Sequence, residues 1–147
     1  MDLNIWRAPI DNDRYLKLKW AAAQYDRAIT RAYHTSYEIK DSDIYIHTDL
    51  SIAAPTVQRI MDIAIDWIVS TDGSIMATVL AKRNMEFPTL PRFGFRIFLP
   101  KAMEQVSYYG LGPGENYIDK CRASYHGFFK NTENGLHEDY LSPQENG

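Results

Sequence analysis

An all-β, antiparallel fold carrying one short helix is what this 147-residue sequence predicts. Three observations lead there. Apolar residues alternate with period two in successive runs from Ile29 onward, the pattern of strands with one buried face. Turn-forming residues separate those runs. No helical periodicity lies between one run and the next, so parallel crossovers are not expected and the strands should meander as an antiparallel sandwich.

The segment Trp6 to Asp13 contains Pro9 and the run Asp11-Asn12-Asp13, which reads as a loop ending in helix-capping residues. Leu16, Trp20 and Ala23 then fall at helical spacing around an alanine run, placing the one expected helix near residues 14–25. From Ile29 the period changes to two. Arg31, Tyr33, Thr35, Tyr37 and Ile39 share one face, with Thr30, Ala32, His34 and Ser36 on the other. Lys40 to Asp43 is a turn, and Ile44, Ile46, Thr48, Leu50 and Ile52 form the next alternating face. Met61, Ile63, Ile65, Trp67 and Val69 repeat the pattern, and Asp72-Gly73 supplies a tight hairpin turn into Ile75 to Lys82. Pro88 and Pro91 fix a connection to a further alternating strand through Phe93, Phe95, Ile97 and Leu99. Another strand at about 104–110 runs into Gly110-Leu111-Gly112-Pro113-Gly114, expected to be an irregular loop. Short aromatic runs such as Tyr125 to Phe129 suggest brief strands among long loops.

Composition narrows the function classes. With 45% hydrophobic and 24% charged residues the chain matches one globular domain, and residues 1–147 are taken as a single domain. No run approaches the roughly 20 apolar residues of a membrane-spanning helix. A net charge of −3 without a basic stripe argues against nucleic acid as a partner. Met1-Asp2-Leu3-Asn4 has neither the basic nor the apolar region of a signal peptide. Cys121 is the lone cysteine, so no internal disulfide framework exists.

Familiar catalytic and metal arrangements are missing. The histidines at 34, 47, 126 and 137 lack metal-gathering spacing. Asp11-Asn12-Asp13 opens like a calcium loop, but Leu16 stands where such a loop needs Gly and Ala22 where it needs Glu. There is no Gly-x-Ser-x-Gly elbow, and the third glycine of a dinucleotide fingerprint is absent after Gly110-x-Gly112. No catalytic residue, metal ligand or cofactor is therefore assigned. Two carboxylate-amide clusters remain, Gly114-Glu115-Asn116-Tyr117 and Pro143-Gln144-Glu145-Asn146-Gly147. Their side chains offer the mixed donors and acceptors that bind sugar hydroxyls, or they satisfy buried backbone groups and hold long loops in shape. Asp11-Asn12-Asp13 has the same two readings, ligand contact or helix capping.

Four ordered segments together resemble the second half of the family 2 glycoside hydrolases of the β-galactosidase type. Trp6-Arg7-Ala8-Pro9-Ile10-Asp11-Asn12-Asp13 resembles that family's Arg-Ala-Pro-x-Asp-Asn-Asp run, and Lys19-Trp20-Ala21-Ala22-Ala23 its following Trp-containing helix. Leu90-Pro91-Arg92-Phe93-Gly94 is similar to its Leu-Pro-Arg-x-Gly strand start. Tyr109 to Lys120 resembles Tyr-Gly-x-Gly-Pro-x-Glu-Asn-Tyr-x-Asp-Arg, and Pro143 to Gly147 repeats Pro-Gln-Glu-Asn-Gly. Two positions depart from the pattern: Gln24 stands where the family has Gly, and Lys120 where it has Arg.

The resemblance implies a galactose-mutarotase-like β-supersandwich, truncated here because the chain stops inside the family domain. It also implies a parent enzyme that hydrolyses terminal β-D-galactosides with retention, using two glutamates on a barrel domain. The present segment would line the sugar cleft through Asp11, Asn12, Asp13, Arg92, Glu115, Asn116, Glu145 and Asn146. Expected partners are the galactoside, the catalytic barrel of the parent and, because the sandwich is unfinished, a second copy of the chain. By itself the segment should be inactive, and its parent would reside in bacterial cytoplasm or periplasm. The alternative is a free-standing carbohydrate-binding or mutarotase-like domain, with His126 and Glu115 or Glu145 as its acid and base.

Overall fold

The computed structural model describes residues 2–114, 116 and 121–137. The chain divides into two compact units, residues 1–96 and 97–147. Among the described residues strands are the main regular element of both, every pairing is antiparallel, and the all-β class holds.

The first unit is built on a four-stranded meander of β2 (Ile29–Lys40), β3 (Asp43–Ala53), β4 (Arg59–Val69) and β5 (Ile75–Arg83), in that spatial order. Alternation puts the core on one face. Leu50 lies opposite Ile63 and Ile52 opposite Met61, and all four are buried together with Ile65. Over them packs the N-terminal segment, contributing Ile5, Trp20, Ala23 and Tyr25 to one continuous cluster. A three-residue strand β1 (Asp2–Asn4) pairs with β6 (Gly94–Arg96), and Phe95 rests 5.3 Å from the Trp67 ring.

The hairpins follow their turn residues. Asp41 and Ser42 both adopt positive φ, 51° and 74°, forming the two-residue loop whose twist matches its strands. At the second hairpin the turn is wider than the tight one expected. The Gly73 N–H donates to Ser70 O, Gly73 takes φ 86°, and Ser70 N–H donates to Ser74 O, a three-residue loop in which Gly supplies the left-handed residue.

Several sequence-based expectations are corrected. The helix is shorter than 14–25: α1 spans only Lys17–Ala22, between 3₁₀ turns at Asp11–Asp13 and Tyr25–Arg27. Gln24 ends it by entering the left-handed region at φ 55°, ψ 39°, which lets Tyr25 turn back into the core. Strand β2 does not keep one alternation. A bulge at Tyr33 breaks the register between Ala32 and His34, so Arg31 shares a face with His34 and Ser36 rather than with Thr35 and Tyr37. The expected strand at 93–99 shrinks to Gly94–Arg96 because its partner β1 offers only three residues of ladder.

In the second unit, β7 (Gln105–Gly112) pairs with β8 (Tyr125–Thr132). Gly110, Leu111 and Gly112, read from sequence as an irregular loop, belong to β7. Gly112 serves packing there. A Cβ at that position would sit 2.9 Å from the Phe129 ring and 2.6 Å from the Tyr108 hydroxyl, so glycine makes room for the Tyr108, Tyr125 and Phe129 cluster. Among the described residues no helix is long and apolar enough to cross a membrane.

Candidate functional site

Arg7 joins two of the sequence signatures. Its guanidinium meets the Asp13 carboxylate in a fork, Nη1 to Oδ2 at 2.5 Å and Nη2 to Oδ1 at 3.1 Å. The same group donates to Ala8 O and, through Nε, to Pro91 O, each at 3.2 Å. The Trp20 ring lies 5.4 Å beneath it, a cation over an aromatic face. Planar fork geometry lets one Arg serve a carboxylate and two carbonyls at once, which the point charge of Lys does not do.

The segment gripped at Pro91 has a particular need for donors. Residues 87–91 carry two prolines and no ladder partner, so their carbonyls must be satisfied by side chains. Arg83 donates to Phe87 O at 2.8 Å and to Pro88 O at 3.1 Å. Tyr25 donates its hydroxyl to Pro88 O at 2.6 Å, and the Trp20 indole donates to Thr89 O at 2.8 Å. Together with Arg7 at Pro91, four side chains hold this connection, Arg7, Trp20 and Tyr25 from the N-terminal segment and Arg83 from the end of β5. Arg7 and Trp20 were noted in the sequence as members of signatures and none of the four as a site residue, although a Pro-bounded stretch without alternation signals unpaired carbonyls.

The expected site residues fall into four groups. Asp13 points inward: the residue is 6% exposed, and Ile10 N–H donates to it at 2.9 Å. Burial pushes its carboxyl up, but the hydrogen bonds from Arg7 and Ile10 and the charge of Arg7 outweigh that and leave it below the usual range. Asp11, Asn12 and Arg92 are exposed, on the two segments that Arg7 ties together. Asn116 belongs to the second unit, is exposed, and donates to Leu111 O at 3.4 Å. Glu115, Glu145 and Asn146 lie outside the described residues, so the pairing of His126 with Glu115 or Glu145 does as well.

One arrangement on the sheet face opposite the core was also missed. His47 lies opposite Ser36 on one side and Asp66 on the other, so a Ser-His-Asp row crosses three strands beside an open cleft of about 370 Å³. His47 Nδ1 is 2.6 Å from Asp66 and Nε2 is 3.4 Å from Asp49. The hydrogen bond to Asp66, helped by the charge of Asp49, raises the imidazole above its ordinary value. Here the chemistry stops. The imidazole nitrogen that would serve Ser36 faces a carboxylate, and backbone N–H groups within a ladder are committed to it, leaving no oxyanion donors. Among the described residues no His, Cys, Asp and Glu group is arranged to hold a metal ion.

Residues 1–147 match the family described as beta galactosidase small chain. The chain is 40% identical over its whole length to a beta-galactosidase of Actinobacillus pleuropneumoniae, of which it covers 15%. It is 36% identical over 98% of its length to one from Staphylococcus xylosus and 30% identical over 99% to one from Lactobacillus delbrueckii subsp. bulgaricus, covering 14% of each. This chain belongs to the beta-galactosidase small chain family.

Proposed function

We propose that the chain works as part of a β-galactosidase, forming one side of the sugar cleft beside a separate catalytic barrel. The observation that carries this is the family match across residues 1–147 in relatives of which the chain spans only about a seventh. Asp11, Asn12 and Arg92 supply hydroxyl-binding groups from the first unit, and Glu115, Asn116, Glu145 and Asn146 do so from the second. Asp13, bonded to Arg7 and Ile10, holds the turn that carries Asp11 and Asn12. Retaining hydrolysis needs two carboxyl groups about 5–5.5 Å apart around the glycosidic bond, and these are assigned to the barrel. The substrate is a terminal β-D-galactoside. Strand β2, exposed along all twelve residues, supports self-association of the isolated chain through its edge.

The test compares the full-length enzyme carrying this segment with the segment alone, on a nitrophenyl β-galactoside. Turnover by the first and none by the second is expected. Hydrolysis by the purified segment, with host enzyme excluded, would overturn the assignment of both catalytic carboxylates to the barrel. Light scattering of the segment across a tenfold dilution should show a concentration-dependent assembly, and a monomer throughout would refute association through β2.

A further inference from the structure

We infer that Arg7 is a positioning residue for sugar recognition, holding the Asp11-Asn12 turn and Arg92 as one polar edge. The inference rests on the reading of this chain as part of a β-galactosidase. Asp11 and Asn12 occupy a three-residue 3₁₀ turn whose third member, Asp13, is fixed by Arg7 and Ile10 N–H. Arg92 directly follows Pro91, whose carbonyl accepts from the same guanidinium. One side chain therefore sets the separation of two segments about 80 residues apart in sequence. The Arg7 side chain is 16% exposed and its guanidinium is engaged with Asp13, Ala8 O and Pro91 O, so its effect on a sugar is exerted through the exposed residues.

Binding groups help only when held in place before the ligand arrives. An edge assembled from a short turn and a Pro-bounded connection has no ladder of its own to hold it. Arg7 supplies that rigidity, and Trp20 beneath it fixes the plane of the guanidinium.

The experiment uses the full-length β-galactosidase with Arg7→Lys, Asp11→Ala, Asn12→Ala and the double variant Arg7→Lys/Asn12→Ala. Initial rates give kcat and KM separately, and thermal melting reports folding. Arg7→Lys is expected to raise KM roughly tenfold with kcat within about twofold, the scale of one lost polar contact. Asp11→Ala or Asn12→Ala should raise KM similarly, and the double variant should be no worse than the poorer single one. If Arg7→Lys does not fold, Asp13→Asn, which keeps the side-chain volume and an acceptor for Ile10, must give the same rise. A lower kcat with unchanged KM would mean a smaller active fraction and a purely structural role, and would overturn the inference. So would additive effects in the double variant, or unchanged KM in both alanine variants. A wild-type enzyme that does not cleave galactosides would instead sink the functional reading beneath it.

Discussion

Replacing Asp13 with Ala tests how much of the N-terminal architecture depends on one ion pair. The carboxylate accepts three hydrogen bonds, two from Arg7 at 2.5 and 3.1 Å and one from Ile10 N–H at 2.9 Å. Its side chain is 9% exposed and that of Arg7 is 16% exposed, so water cannot replace these bonds freely. Removing one partner of a buried pair costs about 3–5 kcal/mol because the other charge is stranded. Arg7 keeps Ala8 O and Pro91 O, which puts Asp13→Ala near the low end, about 3 kcal/mol. Asp13→Asn keeps one oxygen, which in the place of Oδ2 accepts from both Ile10 N–H and Arg7 Nη1 but leaves an NH2 facing Nη2, and should lose about 1.5 kcal/mol. Urea denaturation followed by tryptophan fluorescence measures both, since Trp20 lies under Arg7. A loss below about 1 kcal/mol for Asp13→Ala would place the pair among ordinary surface bridges and refute the view that it holds the loop. Acid gives an independent check. Because the folded carboxyl titrates below its usual range, its contribution is present above the unfolded value and disappears as pH falls through the folded one.

Other perturbations reach the remaining features. The His47 imidazole is raised by Asp66, so its contribution is present below the ordinary histidine value of 6.5 and is lost as pH rises through the folded value; His47→Gln should flatten that part of a stability-against-pH curve, and an unchanged curve would show that the pair contributes nothing. Gln24 bears a left-handed backbone and donates to Thr56 Oγ1 at 2.5 Å. Gln24→Gly relieves strain but adds unfolded-state entropy and removes that bond, so stability should stay within about 0.5 kcal/mol, whereas Gln24→Val should cost about 1–3 kcal/mol by thermal melting; a tolerated Val would deny the strain. Gly112→Ala forces a methyl against Phe129, and a loss of about 1–3 kcal/mol is expected by urea titration, with no loss meaning that the ring moves aside.

Much of the meander was legible because a single physical rule, alternate burial, governs β3 and β4. Met61, Ile63 and Ile65 were read as one face and are buried as one. The rule failed where another constraint took over. Tyr33 looks like any other member of an alternating run, yet it bulges, and its ring meets the guanidinium groups of Arg31 and Arg59, 5.2 and 4.7 Å away. The contact with Arg59 links positions on β2 and β4 far apart in sequence, beyond the reach of a local pattern. Ile97 and Leu99 alternate as a strand should and are exposed, because periodicity describes a face and cannot supply a hydrogen-bonding partner. Gly110 and Gly112 were read as turn residues on propensity, whereas at Gly112 glycine accommodates aromatic rings contributed by β7 and β8.

The candidate site was legible as a set of positions and opaque as a division of labour. Asp11, Asn12 and Asp13 are consecutive polar residues, and nothing in their chemistry says which one faces water. The answer lies in Arg7, since a guanidinium brought into the interior by its contact with Trp20 needs a carboxylate within reach. A 3₁₀ turn beginning at Asp11 delivers the third residue of the run to it and leaves the first two outside. Arg92 is linked to that turn only through a backbone carbonyl, Pro91 O, and carbonyls leave no mark in a sequence. Prolines do, because each removes an N–H and leaves neighbouring carbonyls without a ladder. Reading 87–91 as a row of acceptors seeking donors would have led to Arg7, Trp20, Tyr25 and Arg83, and through Arg7 to the joining of the two signatures.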